Sequence, residues 1–442
     1  MRKMTQETLQ KFFEKLEREN KENNFKQTEI GLIPEDWEVV RLGEVVEFSR
    51  KPRNLRIREN DEIPFIPMEL IPDSGKYASW LMKKYSEISS GTFVFKDDII
   101  VAKITPSFEN GKQALLTNLP MEFGYATTEV LAFHPKNEDI IREYIFEYLR
   151  LPKIRNDLTS KMEGTTGRKR LPRNALEDLL IPLPPVEEQR KIIRVLDRIQ
   201  QAIELQDRII EQAKRLKKSL MQKLFTEGLY GEEQKETEIG LIPKSWEVVR
   251  LGEIGIFEYG YTETALEENT GIKFLRITDI KDDGLILWNE VPYCKISETK
   301  LKKYQLKNGD ILFARIGATT GKTCFIESPP KSVFASYLIR LKIKTDVHKK
   351  FVYYYTQTPI YWSQVEANRE GKLKKGISAT LLRTFKIPLP SLEEQKQIAH
   401  ILSTIDRKIE VEQKRKQVLK ELFKTMLHKL MSGEIRLKEV EI

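Results

Sequence analysis

Cysteine is almost missing from this chain: Cys294 and Cys324 are the only two among 442 residues. Two thiols make neither a disulfide framework nor a zinc set, and their scarcity favours a reducing cytoplasm. Histidine is equally sparse. His134, His348, His400 and His428 are scattered, with no spacing that would close around a metal. No apolar run approaches the roughly 18 residues that a membrane span needs. The mean hydropathy of −0.46 suits a soluble protein. The N-terminal stretch MRKMTQETLQKFF lacks the apolar centre of a secretory signal.

Catalytic signatures are missing too. Gly317-Ala-Thr-Thr-Gly321-Lys322-Thr323 looks like a phosphate-binding loop, but a Walker loop has four residues between its glycines and this segment has three. One residue fewer re-aims every amide, so the phosphate cradle does not transfer. A tight turn that carries Lys322 is the better reading. No Gly-x-Ser-x-Gly elbow occurs. No Asp/Asn-Pro-Pro-Tyr segment, the mark of an amino-methyltransferase, is found. Pro72-Asp73 lacks the Glu-x-Lys that a nuclease core requires. These absences describe a reader without chemistry of its own.

What is present begins with charge. Seventy-five Lys and Arg face 66 Asp and Glu, a net charge of +9 and a pI near 9.1. That balance fits a polyanionic partner, most often nucleic acid. A duplication is plainer still. TEIGLIPEDWEVVRLGE from Thr28 returns as TEIGLIPKSWEVVRLGE from Thr237, and IPLPPVEEQRKI from Ile181 returns as IPLPSLEEQKQI from Ile387. The period of about 200 residues exceeds any solenoid repeat. One module is written twice, with near-identical ends and dissimilar middles. Like ends imply the same mechanical job, and unlike middles imply different targets.

Leu9, Phe12, Phe13 and Leu16 predict a short helix before the first module. Within the modules, Trp37 to Val46 reads as strand then turn. Phe93–Phe95 and Ile99–Lys103 read as strands around Asp97-Asp98, and Glu138–Leu151 as a helix that ends before Pro152. In the second module ILFARI follows an Asn-Gly-Asp turn. Val347–Thr356 and Tyr361–Ala367 read as helical, broken near Pro359. Two α+β domains are expected. Each module closes on a proline stop followed by a long helix, whose first turn carries Glu187-Glu188 or Glu393-Glu394 at the positive end of the dipole. Apolar residues recur at 3- and 4-residue steps: Leu196, Ile199, Ile203, Ile210, Leu216 and Leu220 in one helix, Leu402, Ile405, Ile409 and Leu422 in the other. Each helix spans roughly 40 residues, about 60 Å at ~1.5 Å per residue. Neither buries its stripe alone, so the two pair. Gln206 interrupts the first seam at its middle, and Glu412 and Lys416 interrupt the second. Antiparallel pairing brings these middles together and penalises slipped registers.

Two variable domains, each opened by GLIP-x-x-WE-x-x-RLGE and closed by IPLP-x-x-EEQ plus a long helix, resemble the specificity subunit of type I restriction–modification systems. The resemblance covers nearly the whole chain. It implies a pseudo-twofold duplication. The N-terminal helical segment occupies 1–27, the first target-recognition domain 28–183 and the central spacer helix 184–230. The second target-recognition domain occupies 237–389 and the distal spacer helix 390–435. It also implies that each domain reads one half of an asymmetric, bipartite site in double-stranded DNA. The antiparallel spacer sets the gap and docks two methyltransferase subunits. Restriction/translocase subunits join that complex. S-adenosylmethionine, ATP and Mg²⁺ belong to those partners, not to this chain. The alternative is an orphan methylation-guide or scaffold protein outside a restriction complex, which neighbouring genes would distinguish.

Phosphate contacts come from Lys and Arg, and base readings from Arg, Lys, Asn and Gln. The first module offers Arg50, Lys51, Arg53, Lys103, Asn110, Lys112 and the loop residues Arg168, Lys169 and Arg170. The second offers Arg276, Arg315, Lys322 and the run Arg369, Lys372, Lys374 and Lys375. Glycine-flanked basic loops of this kind suit a close approach to phosphates. Tyr259 and Tyr261 could stack on a base or belong to the core.

Overall fold

The opening and closing boxes of each module form a single piece of structure. In the computed structural model, Glu38–Arg41 pairs antiparallel with Leu180–Leu183, and Glu247–Arg250 pairs with Lys386–Leu389 in the same register. The opening and closing boxes of each module are therefore the two strands of one ribbon. The structure describes residues 24–165, 167–281, 284–344, 346–368 and 376–438. The expected helix over Leu9, Phe12, Phe13 and Leu16 lies outside these residues.

The chain forms two compact units, Met1–Gln206 with Arg415–Ile442, and Asp207–Lys414. The core of unit 1 rests on a four-stranded antiparallel sheet in the order Val46–Phe48, Val130–Pro135, Ile99–Ala102, Gln113–Leu115. A second sheet runs Leu81–Lys84, Glu62–Ile66, Phe123–Ala126, Thr92–Phe95 and has its own aromatic cluster. Unit 2 repeats the first sheet with Gly255–Tyr259, Leu338–Ile343, Ile311–Ala314 and Thr323–Phe325. In place of the second sheet it has a parallel pair, Lys273–Leu275 with Ser332–Phe334. The dissimilar middles thus differ in the accessory layer, not in the central sheet.

Most elements fall where pattern places them, with local departures. Leu42–Val45 is one helical turn between the strands Glu38–Arg41 and Val46–Phe48. The helix expected over Glu138–Leu151 is shorter, Arg142–Tyr148, and Pro152 starts a second helix, Pro152–Ser160. Proline stops one helix because it lacks a donor, and suits the first turn of the next for the same reason.

The long helices are Val186–Thr226 (41 residues) and Leu392–Met431 (40 residues). In unit 1, Ile192, Leu196, Ile199 and Ile203 share a core with Leu419, Phe423, Leu427 and Leu430. In unit 2, Met221, Leu224 and Phe225 share one with Ile398, Ala399 and Leu402. The start of each helix meets the end of the other, so the pair is antiparallel. Ile210 and Ile409 are buried, and Leu220, Ile405, Leu422 and Lys416 are half-buried. Gln206 and Glu412 are buried as well, and Glu412 pairs with Lys408. Leu216 departs from the expected stripe and is 54% exposed. Its neighbour Lys217 turns inward and bonds Asp406 at 2.8 Å. A 3.6-residue helix drifts against a 3.5-residue repeat, which rotates one position out and the next in.

The duplicated boxes also hold the helix starts. Glu188, buried in the first turn, accepts the Trp37 indole N–H at 3.1 Å, and Glu394 accepts that of Trp246 at 3.1 Å. Gln189 accepts the Ile141 amide at 2.8 Å and donates to the Pro184 carbonyl at 2.8 Å. Gln395 does the same with His348 and Pro390, at 2.8 Å each. Both tryptophans are fully buried, so their only polar atoms need such acceptors. The tail after the second helix completes unit 1. Arg436 donates to Glu188 at 2.8 and 2.7 Å and to Asp36 at 2.8 and 2.9 Å. Burial alone would raise the Asp36 carboxyl, but bonds from Arg436 and Lys438 bring it down to about 2. Gly433, at a φ of +73°, turns the tail against Pro34, where a Cβ would collide.

Candidate nucleic-acid interface

Register gathers the cations of module 1. Val46–Phe48 and Ile99–Ala102 both run antiparallel to Val130–Pro135, so they run parallel to each other. The residues that follow them, Arg50-Lys51 and Lys103, leave the sheet at the same end. The basic loop before the closing box arrives there too. Leu171 donates its amide to the Lys103 carbonyl at 2.7 Å, and Thr105 to the Lys169 carbonyl at 3.0 Å. The loop is a hairpin, Glu163–Thr165 with Arg168–Arg170, and each of these six residues is exposed. Gly167, at a φ of +79°, supplies the left-handed turn at its tip. Arg170 is held by Glu129 at 2.6 Å. Arg168 and Lys169 make no ion pair among the described residues.

Module 2 builds the same corner differently. Ile377 donates to the Arg315 carbonyl at 2.8 Å, which attaches the segment before the closing box to the sheet end. The Arg315 guanidinium lies 5.0 Å from the centre of the Tyr259 ring. The Tyr259 hydroxyl accepts the Ala379 amide at 3.0 Å, at the first turn of the helix Ala379–Thr384. Arg315 is thus a cation oriented by a ring, with no carboxylate partner among the described residues. Tyr261 is buried and packs on Tyr304, so it belongs to the core. Arg369, Lys372, Lys374 and Lys375 lie outside the described residues.

The remaining candidates divide by what holds them. Arg50, Lys51 and Arg53 are exposed, Asn110 is exposed and Lys103 is half-buried. Lys112 is tied into the fold. Its ammonium donates to the Met68 and Ile71 carbonyls at 3.1 and 2.6 Å and lies 3.6 Å from Asp73. Arg276 bonds Asp279 at 3.1 and 2.8 Å, and the hydrogen bond to Asp279 raises its already high pKa. Lys322 follows the glycine loop, which is a tight turn: Gly321 donates to Ala314 at 2.9 Å and Lys322 to Thr319 at 2.9 Å. Lys322 is half-buried beside Tyr353 and Trp362. The individual side chains that pattern missed are Arg56 and Arg58, which continue the basic run from Arg50. Their composition was visible, but their exposure depends on the packing of Leu55 and Ile57.

The same sheet carries a Ser-His-Asp grouping of Ser49, His134 and Asp98. Asp98, fully buried, accepts from Ser49 at 2.6 Å and from the Phe95 amide at 2.8 Å, and lies 2.8 Å from His134 Nδ1. Ser49 also lies 3.3 Å from His134 Nδ1, but its shorter bond is to the carboxylate, unlike the serine–histidine–aspartate relay that activates a nucleophile. The bond to Asp98 raises the His134 pKa. In module 2 the corresponding Asp310 meets Arg340 at 3.3 Å, and Arg340 also grips Glu258. Both arrangements anchor a buried aspartate under the sheet.

This architecture has known counterparts. The family model described as "Type I restriction modification DNA specificity domain" matches residues 34–215 and 243–421. The chain is 32% identical over 432 residues to the putative type I restriction enzyme MjaX specificity subunit of Methanocaldococcus jannaschii, which spans 95% of this chain and 98% of that one. It is 29% identical over 433 residues to the MjaVIII specificity subunit of the same organism, at 95% and 98% coverage. Among solved structures, the type I restriction–modification S subunit of M. genitalium has a TM-score of 0.54 at 15% identity, covering 89% of this chain and 96% of that one. A chain from a study of complex assembly and conformational transition in a type I R-M system has a TM-score of 0.57 at 22% identity, covering 91% and 99%. The fold is shared at that distance, and the doubled family match runs across both units. This chain belongs to the type I restriction modification DNA specificity domain family.

Proposed function

We propose that this chain is the non-catalytic DNA-specificity subunit of a type I restriction–modification complex, each module reading one half of a split, asymmetric target. The observation that supports this reading is the doubled sheet end. Both modules bring a strand-end cation and the segment before the closing box to the same corner, Lys103 with Arg168–Arg170 and Arg315 with Gly376-Ile377. Arg168, Lys169 and Arg315, which have no carboxylate partner among the described residues, suit phosphates and base edges, and the accessory layers differ as two different half-sites require. The paired helices are the spacer that sets the gap between halves, and their outer faces are where methyltransferase subunits dock. Restriction/translocase subunits complete the assembly. S-adenosylmethionine, ATP and Mg²⁺ act in those partners.

Methylation mapping of DNA from cells that express this chain with its neighbouring methyltransferase tests the reading. A motif with two different defined halves and a fixed gap is the expected result. A continuous motif, or none, would overturn it. The hairpin makes a narrower prediction. Arg168→Ala with Lys169→Ala flattens the salt dependence of DNA binding by about 1.8 in log K against log [salt], since each lost phosphate contact removes about 0.9. A titration of the full chain against a duplex bearing the motif, at several salt concentrations, measures this slope. An unchanged slope would remove the hairpin from the interface.

A further inference from the structure

The loop that leaves the sheet end of module 1 reads RKPRNLRIR from Arg50 to Arg58, five cations in nine residues. The corresponding stretch of module 2 starts at Tyr259 and reads YGYTETALEE to Glu268, with three glutamates and no cation in ten residues. The strands before them are equivalent: Phe48 pairs with Phe133 as Phe257 pairs with Leu341. The loop that leaves this corner is therefore basic in one module and acidic in the other.

The module 1 loop is held in place. Leu55 and Ile57 pack against the aromatic cluster of Ile63, Phe93 and Tyr125. Burial alternates along this stretch, so Arg56 and Arg58 are exposed on either side of Ile57. Leu55 donates to the Pro52 carbonyl at 3.1 Å, and Arg58 donates its amide to the Asp61 carboxylate at 2.8 Å. Lys51 lies 5.0 Å from the centre of the Tyr85 ring and donates to its hydroxyl at 3.1 Å. The side chains of Arg50, Arg53, Arg56 and Arg58 make no ion pair among the described residues. Four unneutralised guanidiniums on a pinned segment repel one another. A regular row of phosphates relieves that repulsion, whereas a single carboxylate would not.

We infer that the loop 50–58 is a DNA-backbone grip of module 1 that has no counterpart in module 2. This rests on the proposed DNA-reading function. Its contacts are to phosphates, so they carry affinity and salt dependence without base information. The half-site of module 1 is therefore held mainly by charge. Module 2 keeps the acidic loop of Glu263, Glu267 and Glu268 clear of the backbone, so its phosphate contacts come from other segments.

The test uses the full chain with its methyltransferase partner and a duplex that carries the mapped motif. In Arg56→Gln with Arg58→Gln, the slope of log K against log [salt] becomes shallower by about 1.8, two contacts at about 0.9 each. The methylated motif stays the same. Glu267→Gln with Glu268→Gln leaves the slope within about 0.3 of the parent, below half of one contact. An unchanged slope in the arginine variant overturns the grip while the DNA-reading function stands. A changed motif also overturns it, because the arginines would then read bases. A steeper slope in the glutamate variant overturns the asymmetry. If the parent chain shows no motif at all, the function itself fails first. Both pairs are exposed, so folding is not at stake, and a melting curve confirms it.

Discussion

Glu188→Ala destabilises unit 1 by about 3–5 kcal/mol, the cost of breaking a buried ion pair and leaving one partner behind. Glu188 is 2% exposed and Arg436 6%. The carboxylate accepts from Trp37, from two nitrogens of Arg436 and from the Leu437 amide at 3.1 Å. Removing it takes both Glu188 bonds from a buried guanidinium whose other carboxylate, Asp36, is more exposed, and strands an indole N–H. Glu394→Ala should cost less, about 1–3 kcal/mol, because Glu394 accepts from Trp246 and from the Leu229 amide at 3.1 Å and has no guanidinium partner among the described residues. Denaturant unfolding followed by tryptophan fluorescence separates the two. With two units, the transitions need not coincide, and only the one belonging to unit 1 should move in Glu188→Ala. An equal loss in both variants would show that the arginine does not set the difference. The Asp36 arm adds an acid dependence. Its folded pKa is depressed, so its contribution is complete above the ordinary carboxylate range and is lost as pH falls towards about 2.

Arg315→Ala relaxes the methylated motif at a single position of one half-site and weakens specific binding by about 1–3 kcal/mol, the discrimination carried by one bidentate base contact. Tyr259 orients this guanidinium, and no carboxylate competes for it among the described residues. An oriented, unneutralised fork matches the two acceptors of guanine. Arg315→Lys keeps the charge and loses the fork, so it should restore the salt slope but not the base preference. Methylation mapping of both variants, with binding measured on matched and single-substituted duplexes, distinguishes the roles. If Arg315→Ala weakened every sequence equally and left the motif intact, Arg315 would be a phosphate contact.

These two predictions sit on opposite sides of what could be read without coordinates. The repeated WE and EEQ boxes were visible as repeats. That Trp37 meets Glu188, and Trp246 meets Glu394, was not, because the partners lie about 150 residues apart and nothing local links an indole to a carboxylate. Arg436 was invisible for the same reason. It lies 248 residues from Glu188, in a tail whose composition resembles any surface segment. Among the candidate cations, residue type alone could not separate Lys112 and Arg276, engaged within the fold, from Arg168 and Arg315, which are presented at the sheet ends.

The sequence by itself determined the duplication, the antiparallel helix pair and the family. The first two follow from periodicity and near-identity, which survive without coordinates because each is a property of order along the chain, and the third rests on the resemblance of the GLIP-x-x-WE-x-x-RLGE and IPLP-x-x-EEQ boxes to that family. Tertiary structure alone decided which cations face outward, that the two boxes of each module form one ribbon, and that the C-terminal tail closes the first unit. Those outcomes depend on which distant groups desolvate each other. Burial makes a pair such as Glu188 and Arg436 obligatory, and only packing reveals which groups are buried together.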